Sequence, residues 1–309
     1  MKKILFSVVC LMMVGIQSVN AQVAIAALHH EGNVTIYSSA QAAIDNSVAG
    51  DTIYLSEGIF GGFKVEKPIA IIGAGRTTMI SSDITLGKTT TAVDSIAPGL
   101  LLSGLNIVQD VKFYNTIEGA RITQCIIGGT CSFMTSNSCS FNNIEILMSQ
   151  IGTLSPTNTV KGLTVVASKI SKISSDGADE GSVTFLNCNI QDSGRGLSVK
   201  NNVFLNCIIE LVSSSVYTNC LYKDAYSGAV IYNSYYDSNF SLDDDLNCSY
   251  TDEQLKELGY TGVEDTLVGI TGGDVKFSLV MPVAQVVDHS IEVDQAERKL
   301  KVSLKLGNK

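Results

Sequence analysis

The chain has 309 residues, enough for one elongated domain or one domain with a tail. Its 21 basic residues against 30 acidic ones leave a net charge of −9, so neither nucleic acid nor an anionic membrane gains from binding it. Beyond the N-terminus no stretch reaches the run of about 18 apolar residues that a spanning helix needs, and no transmembrane segment is expected.

Residues 1–21 read as a secretory signal peptide. Lys2 and Lys3 form a charged start, Ile4 to Ile16 an apolar run, and Val19-Asn-Ala21 a small-residue cleavage site. The mature chain is therefore expected in the periplasm, on the outer surface or in the medium. Asn33-Val-Thr-Ile-Tyr37 alternates like a short strand. Ser38 to Asp45 follows as a short helix with serine at its start and Ala42, Ala43 and Ile44 on one side.

Next come Gly50-Asp-Thr-Ile53, Gly58-Ile-Phe60, Lys67-Pro-Ile69, Gly73-Ala-Gly75 and Thr78-Met-Ile80. Gly73-Ala-Gly75 lacks the full dinucleotide fingerprint and no long helix follows it, so it is a turn. The order of these pieces resembles the opening coils of the pectin lyase-like superfamily. That resemblance implies a right-handed parallel β-helix with the N-terminal helix as its cap, and the envelope β-helix proteins of Gram-negative bacteria are the nearest likeness.

The residues downstream reach a solenoid independently. Val183 to Ile190 recurs as Asn202 to Ile209 and again as Val216 to Tyr222, each with apolar residues, Asn, Cys, any residue, then a large apolar one. Weaker copies place the small-residue slot at Leu105, Cys125, Ser149, Ser168, Cys188 and Cys207, with spacings of 20, 24, 19, 20 and 19. A period near 20 built of strand-like runs means stacked coils. The Asn before the slots at Cys188 and Cys207 suits a tight turn, because it tolerates left-handed φ. After Cys207 the steps shorten to 13, 14 and 14, at Cys220, Ser234 and Cys248.

The coils are expected over 22–250, with a C-terminal appendage over 251–309. Thr251-Asp-Glu-Gln254 opens a helix with a capping box, and Leu300, Val302, Leu304 and Leu306 alternate in the second arm of a hairpin. Ser174 to Gly181 is a loop. The expected class is all-β.

Seven cysteines follow the signal peptide: Cys125, Cys131, Cys139, Cys188, Cys207, Cys220 and Cys248. Their odd number and the coil period favour packed free thiols over disulfides. No Cys-x-x-Cys occurs and His29, His30 and His289 lie far off, so no metal site is expected.

The superfamily resemblance raises the question of catalysis. Its methylesterases carry Gly-x-Tyr-x-Glu, whereas this chain has Gly58-Ile-Phe-Gly-Gly62, and no histidine between residues 31 and 288 could serve a hydrolase of the polygalacturonase kind. A calcium-dependent lyase on an acidic polysaccharide stays open. Its residues would be Asp110, Lys112 and Arg121, with calcium as cofactor under that alternative alone. Asp243-Asp-Asp245 could also attract calcium, but an acidic loop ahead of a helix explains it as well.

Eight of the eleven tyrosines fall between 217 and 260. Tyr222 and Tyr236 fill the inward slot of Ile190 and Ile209, so they are expected in the core. Tyr226, Tyr232 and Tyr235 are freer, and exposed aromatics beside Asn and Asp suit sugar stacking or a protein contact. The leading expectation is thus a non-catalytic exported protein that binds glycan or a surface partner along its flank, with no need of a cofactor.

Overall fold

A computed structural model describes residues 24–88, 95–134, 139–174, 183–192, 203–205, 207–212, 215–225, 228–270, 272, 277, 285–294 and 299–307. The expected signal peptide, the expected loop beyond Ser174, and Tyr226 lie outside these residues.

The chain winds into a parallel β-solenoid. A first sheet of twelve strands takes one strand from each coil, and all run parallel except Ala26–His30, which pairs antiparallel with a strand on either side. A second sheet of thirteen strands takes the strand that follows each corner, and a short third sheet closes the N-terminal coils. Alternation along each strand sends one row inward. In the first sheet that row runs from Ile53 through Ile71, Leu102, Ile122, Ile146 and Val165 to Phe185, Phe204 and Tyr217, all buried. In the second it is Ile80, Ile107, Ile127, Ile151, Ile170, Ile190 and Ile209.

The corner between the two sheets explains the repeat. The residue before the slot adopts left-handed φ at Gln124, Met148, Ala167, Asn187, Asn219 and Asn233. The slot side chain then donates back to the carbonyl two residues earlier. Ser149 Oγ reaches Leu147 at 2.8 Å, Ser168 Oγ reaches Val166 at 2.8 Å, and the Cys188, Cys207 and Cys220 thiols reach Leu186, Leu205 and Thr218 at 3.3, 3.4 and 3.3 Å. A small side chain with one donor is what the corner asks for, so Ser and Cys exchange freely there. Cys248 is not part of this column. The last paired strand is Tyr235–Tyr236, and the Asn-Cys at 247–248 belongs to the chain that folds back beyond it.

Helix α1 (Ala40–Asn46) caps the first coil with Ala40, Ala43 and Ile44 buried, and Ser39 accepts from the Ala42 N–H. Its C-terminal carbonyls are met by Lys67, whose Nζ lies 2.9 Å from Ile44 O and 2.6 Å from Ser47 O. Antiparallel strands Ala26–His30 and Asn33–Tyr37 extend the first sheet beyond the cap.

All seven cysteines are free. Burial pushes the Cys125 and Cys131 thiols up to about 12 and Cys207 well above its ordinary range. The folded protein should therefore resist thiol reagents at neutral pH except at half-buried Cys139 and Cys248, whereas all seven should react in denaturant without reductant. A titration that finds one thiol after unfolding would mean three disulfides and overturn the packed column.

Candidate functional site

Asp110 and Lys112 come together on the second sheet with Asp83 from the neighbouring coil. Lys112 Nζ lies 2.5 Å from Asp83 Oδ2 and 3.4 Å from Asp110 Oδ2. Asp110 Oδ1 accepts from the Thr130 N–H at 2.8 Å, and Asp83 Oδ1 accepts from the Asp110 N–H at 3.2 Å. The hydrogen bond from Lys112 holds the Asp83 carboxyl below the usual range, and the same bond holds the Lys112 ammonium above its own. Arg121 is elsewhere. It stands on the first sheet opposite Glu145, with Nη2 and Nε 2.5 and 2.7 Å from Glu145 Oε2. The proposed trio is thus split between two sheets because the chain turns at Asn115 and again at Gly119, on either side of the third-sheet strand Thr116–Glu118, turns that closeness in sequence concealed.

The tyrosines also divide. Tyr232 is exposed on the last strand of the first sheet. Tyr235 is not free: its ring stacks on Tyr260 at 4.9 Å and its hydroxyl donates to Thr261 O at 2.8 Å. Tyr236 occupies the inward register of Ile209 and Tyr222 yet is 59% exposed, because among the described residues no further coil stacks on it. Tyr222 is half-buried, 6.0 Å from the Tyr236 ring.

What the sequence concealed is a strap. From Asp237 the chain turns back up the corner, forms α2 (Asp252–Glu257), and runs up the corner a second time to Gly272. Its apolar side, with Phe240, Leu255 and Val268, packs on Ile208 and Leu221 of the second sheet. Asn187 Nδ2 donates to Ile270 O and Gly272 O, Asn189 Nδ2 to Leu246 O, and Asn219 Oδ1 accepts from the Val263 N–H. Lys169, 3% exposed, donates to Asp245 O and to Asn247 Oδ1. Burial holds the Lys169 ammonium below its ordinary range even though Asp243 and Asp245 lie close. The acidic loop 243–245 therefore wraps a tethered ammonium. At the foot of the strap Asp237, buried, accepts from Tyr260 and Tyr250 hydroxyls at 2.8 and 3.0 Å and from the Asn239 N–H at 2.7 Å.

Outside the strap, the first sheet carries a continuous outward row. Leu147, Val166, Leu186, Leu205, Thr218 and Tyr232 are successive register partners, five half-buried and the last exposed. Among the described residues no group of three or more His, Cys, Asp or Glu is placed to hold a metal ion, and no helix is long and apolar enough to cross a membrane.

Fold and flank together define a parallel β-solenoid whose first sheet carries a half-buried outward row ending at the exposed Tyr232. No protein-family model, curated protein or solved structure matches the chain.

Proposed function

We propose that this is an exported, non-catalytic solenoid of the pectin lyase-like kind that binds a glycan or a surface protein along the flank of its first sheet. The observation that carries this reading is the outward row from Leu147 to Tyr232, apolar but for Thr218 and half-buried up to the exposed Tyr232, on a chain of net charge −9. Contiguous apolar surface marks interaction sites, and a tyrosine ring at its end suits stacking on a sugar or docking in a protein pocket.

The lyase alternative draws on Lys112 lying across two carboxylates. The same geometry weakens it: a general base must be unprotonated near neutral pH, and the ion pair with Asp83 favours the charged ammonium. Arg121, committed to Glu145 on the other sheet, does not supply the missing base.

The test is a screen of envelope and extracellular polysaccharides and surface proteins for binding, followed by Tyr232→Ala in the full chain. Binding should weaken by about 1–3 kcal/mol with the melting temperature unchanged, the signature of an exposed aromatic anchor. Release of ultraviolet-absorbing unsaturated ends from an acidic polysaccharide in the presence of calcium overturns the non-catalytic reading. Undiminished binding by the Tyr232 variant removes the flank.

A further inference from the structure

Beneath the strap, Lys169 has a partner of an unexpected kind. Its register partners on the second sheet are Gln150 and Asn189, and the returning chain covers it until only 3% is exposed. A buried ammonium is ordinarily paired with an opposite charge. Three aspartates stand in the loop 243–245, yet the two oxygens that Nζ meets are the Asp245 backbone carbonyl and Asn247 Oδ1, the latter at 2.6 Å. Burial works against the charge and Arg76 adds to it, while Asp243 and Asp245 favour it through space; the balance holds the ammonium below its ordinary range. The Phe277 ring lies 5.9 Å from Nζ.

The amide that Lys169 meets is fixed in orientation. Asp243 Oδ1 accepts from the Asn247 backbone N–H at 2.8 Å, and Asp243 Oδ2 accepts from Asn247 Nδ2 at 2.9 Å. The Asp243 N–H donates to Asn247 O at 3.1 Å. With a carboxylate on one side and an ammonium on the other, the amide satisfies both only with its nitrogen on Asp243 and its oxygen on Lys169. Buried Leu246 seats the loop, its carbonyl accepting from Asn189 Nδ2 at 2.5 Å. A carbonyl bond of about 1.2 Å then puts Asn247 Cγ no more than about 3.8 Å from Nζ, close to the separation of atoms poised to react. A desolvated amine, an amide carbon and a carboxylate on the leaving nitrogen are the parts of an acyl transfer.

We infer that Lys169 and Asn247 join in an intramolecular isopeptide bond that fastens the strap covalently to the solenoid. One proton of the ammonium passes to water, and the neutral Nζ attacks Asn247 Cγ. The Nζ–Cγ bond forms and the Cγ–Nδ2 bond breaks. A second Nζ proton travels by way of the Asp243 carboxylate, which already holds Nδ2, and Nδ2 leaves as ammonia. Nothing is oxidised or reduced, and no co-reactant is needed. The hydrogen bonds from Asn247 hold the Asp243 carboxyl below the usual range, so it starts ionised and able to take the proton. Asp243 and Asn247 are exposed, which gives the ammonia a way out. All seven cysteines of the mature chain are free, so this bond supplies a covalent tie that no disulfide provides. It does not depend on the flank reading.

Intact mass of the purified, folded full chain tests it, with peptide mapping to place the bond. The wild type should lose about 17 Da, the mass of one ammonia, through this reaction. Digestion should yield a branched peptide joining the segments around Lys169 and Asn247. Lys169→Arg keeps the charge but has no amine of this kind, and it should regain the missing mass and give no branched peptide. Asp243→Asn keeps an acceptor for the Asn247 N–H but cannot carry the proton, so at the same age it should hold at least about tenfold fewer closed chains. A wild type without the branched peptide overturns the inference. So does a loss of ammonia that is the same in Lys169→Arg, the mark of Asn247 closing on its own backbone. An Asp243→Asn chain that closes as fully as the wild type overturns the proton path through Asp243. Should Lys169→Arg fail to fold, the branched peptide of the wild type still decides.

Discussion

Phe204→Ala is expected to destabilise the solenoid by about 3–5 kcal/mol, the range for removing a fully buried aromatic side chain. Phe204 is fully buried and sandwiched, with its ring centroid 4.6 Å from Phe185 on one side and 4.6 Å from Tyr217 on the other. Removing it opens a gap between two rings that the strands prevent from closing, because Phe185, Phe204 and Tyr217 are held in register by the ladder. Phe204→Leu retains most of the volume but loses the stack, so its smaller loss separates ring stacking from burial. Urea unfolding of the two variants provides the comparison. A Phe204→Ala midpoint equal to that of the wild type would show that the coil does not pack as described.

Asp237→Ala should release the foot of the strap. The carboxylate meets two phenol hydroxyls and a backbone N–H, and its loss leaves three donors at a buried site, worth roughly 2–4 kcal/mol. Burial pushes this carboxyl up, but the Asn239 N–H and the Tyr260 and Tyr250 hydroxyls outweigh it and hold it below the usual range. A carboxyl depressed in the folded state adds stability above the ordinary aspartate range and loses it as pH falls through the lowered value. The strap should therefore loosen in acid, and Asp237→Ala should remove that part of the pH dependence. Burial together with the Asp237 hydrogen bond pushes the Tyr260 hydroxyl up to about 12, so no matching loss is expected in mild alkali. Amide exchange in residues 252–270 reads the effect directly. Equal protection in the variant and the wild type would show that Asp237 does not anchor the strap.

The solenoid was legible because its corner demands a particular chemistry at one position per coil. Cys188 and Cys220 recur with Asn ahead of them for a physical reason: a left-handed residue, then a small donor that reaches back two residues, as the Cys207 thiol also does. Where the corner used Gln124, Met148 or Ala167 instead of Asn, only the slot revealed the coil. The strap was hidden because its contacts join residues far apart in sequence, such as Lys169 with Asn247 and Asn187 with Gly272, and no local pattern records them. Tyr235 misled for the same reason, since nothing near it in sequence announces Tyr260. Tyr236 misled differently. Its register is inward as its spacing implies, but an inward register buries a side chain only when another coil follows.

The strap also has a mechanical consequence. A stack whose neighbours touch only each other can peel one coil at a time from its free end, as a zipper opens. Here Lys169, the pair Asn187 and Asn189, and Asn219 stand on three different coils and are all tied to one returning chain. Tension applied at the C-terminus therefore loads several coils in parallel, in shear along the corner, and the terminal coil cannot leave before those ties part. The C-terminal half should yield in a single large step under force, while the N-terminal coils, which lack such a tie, should come away in smaller ones.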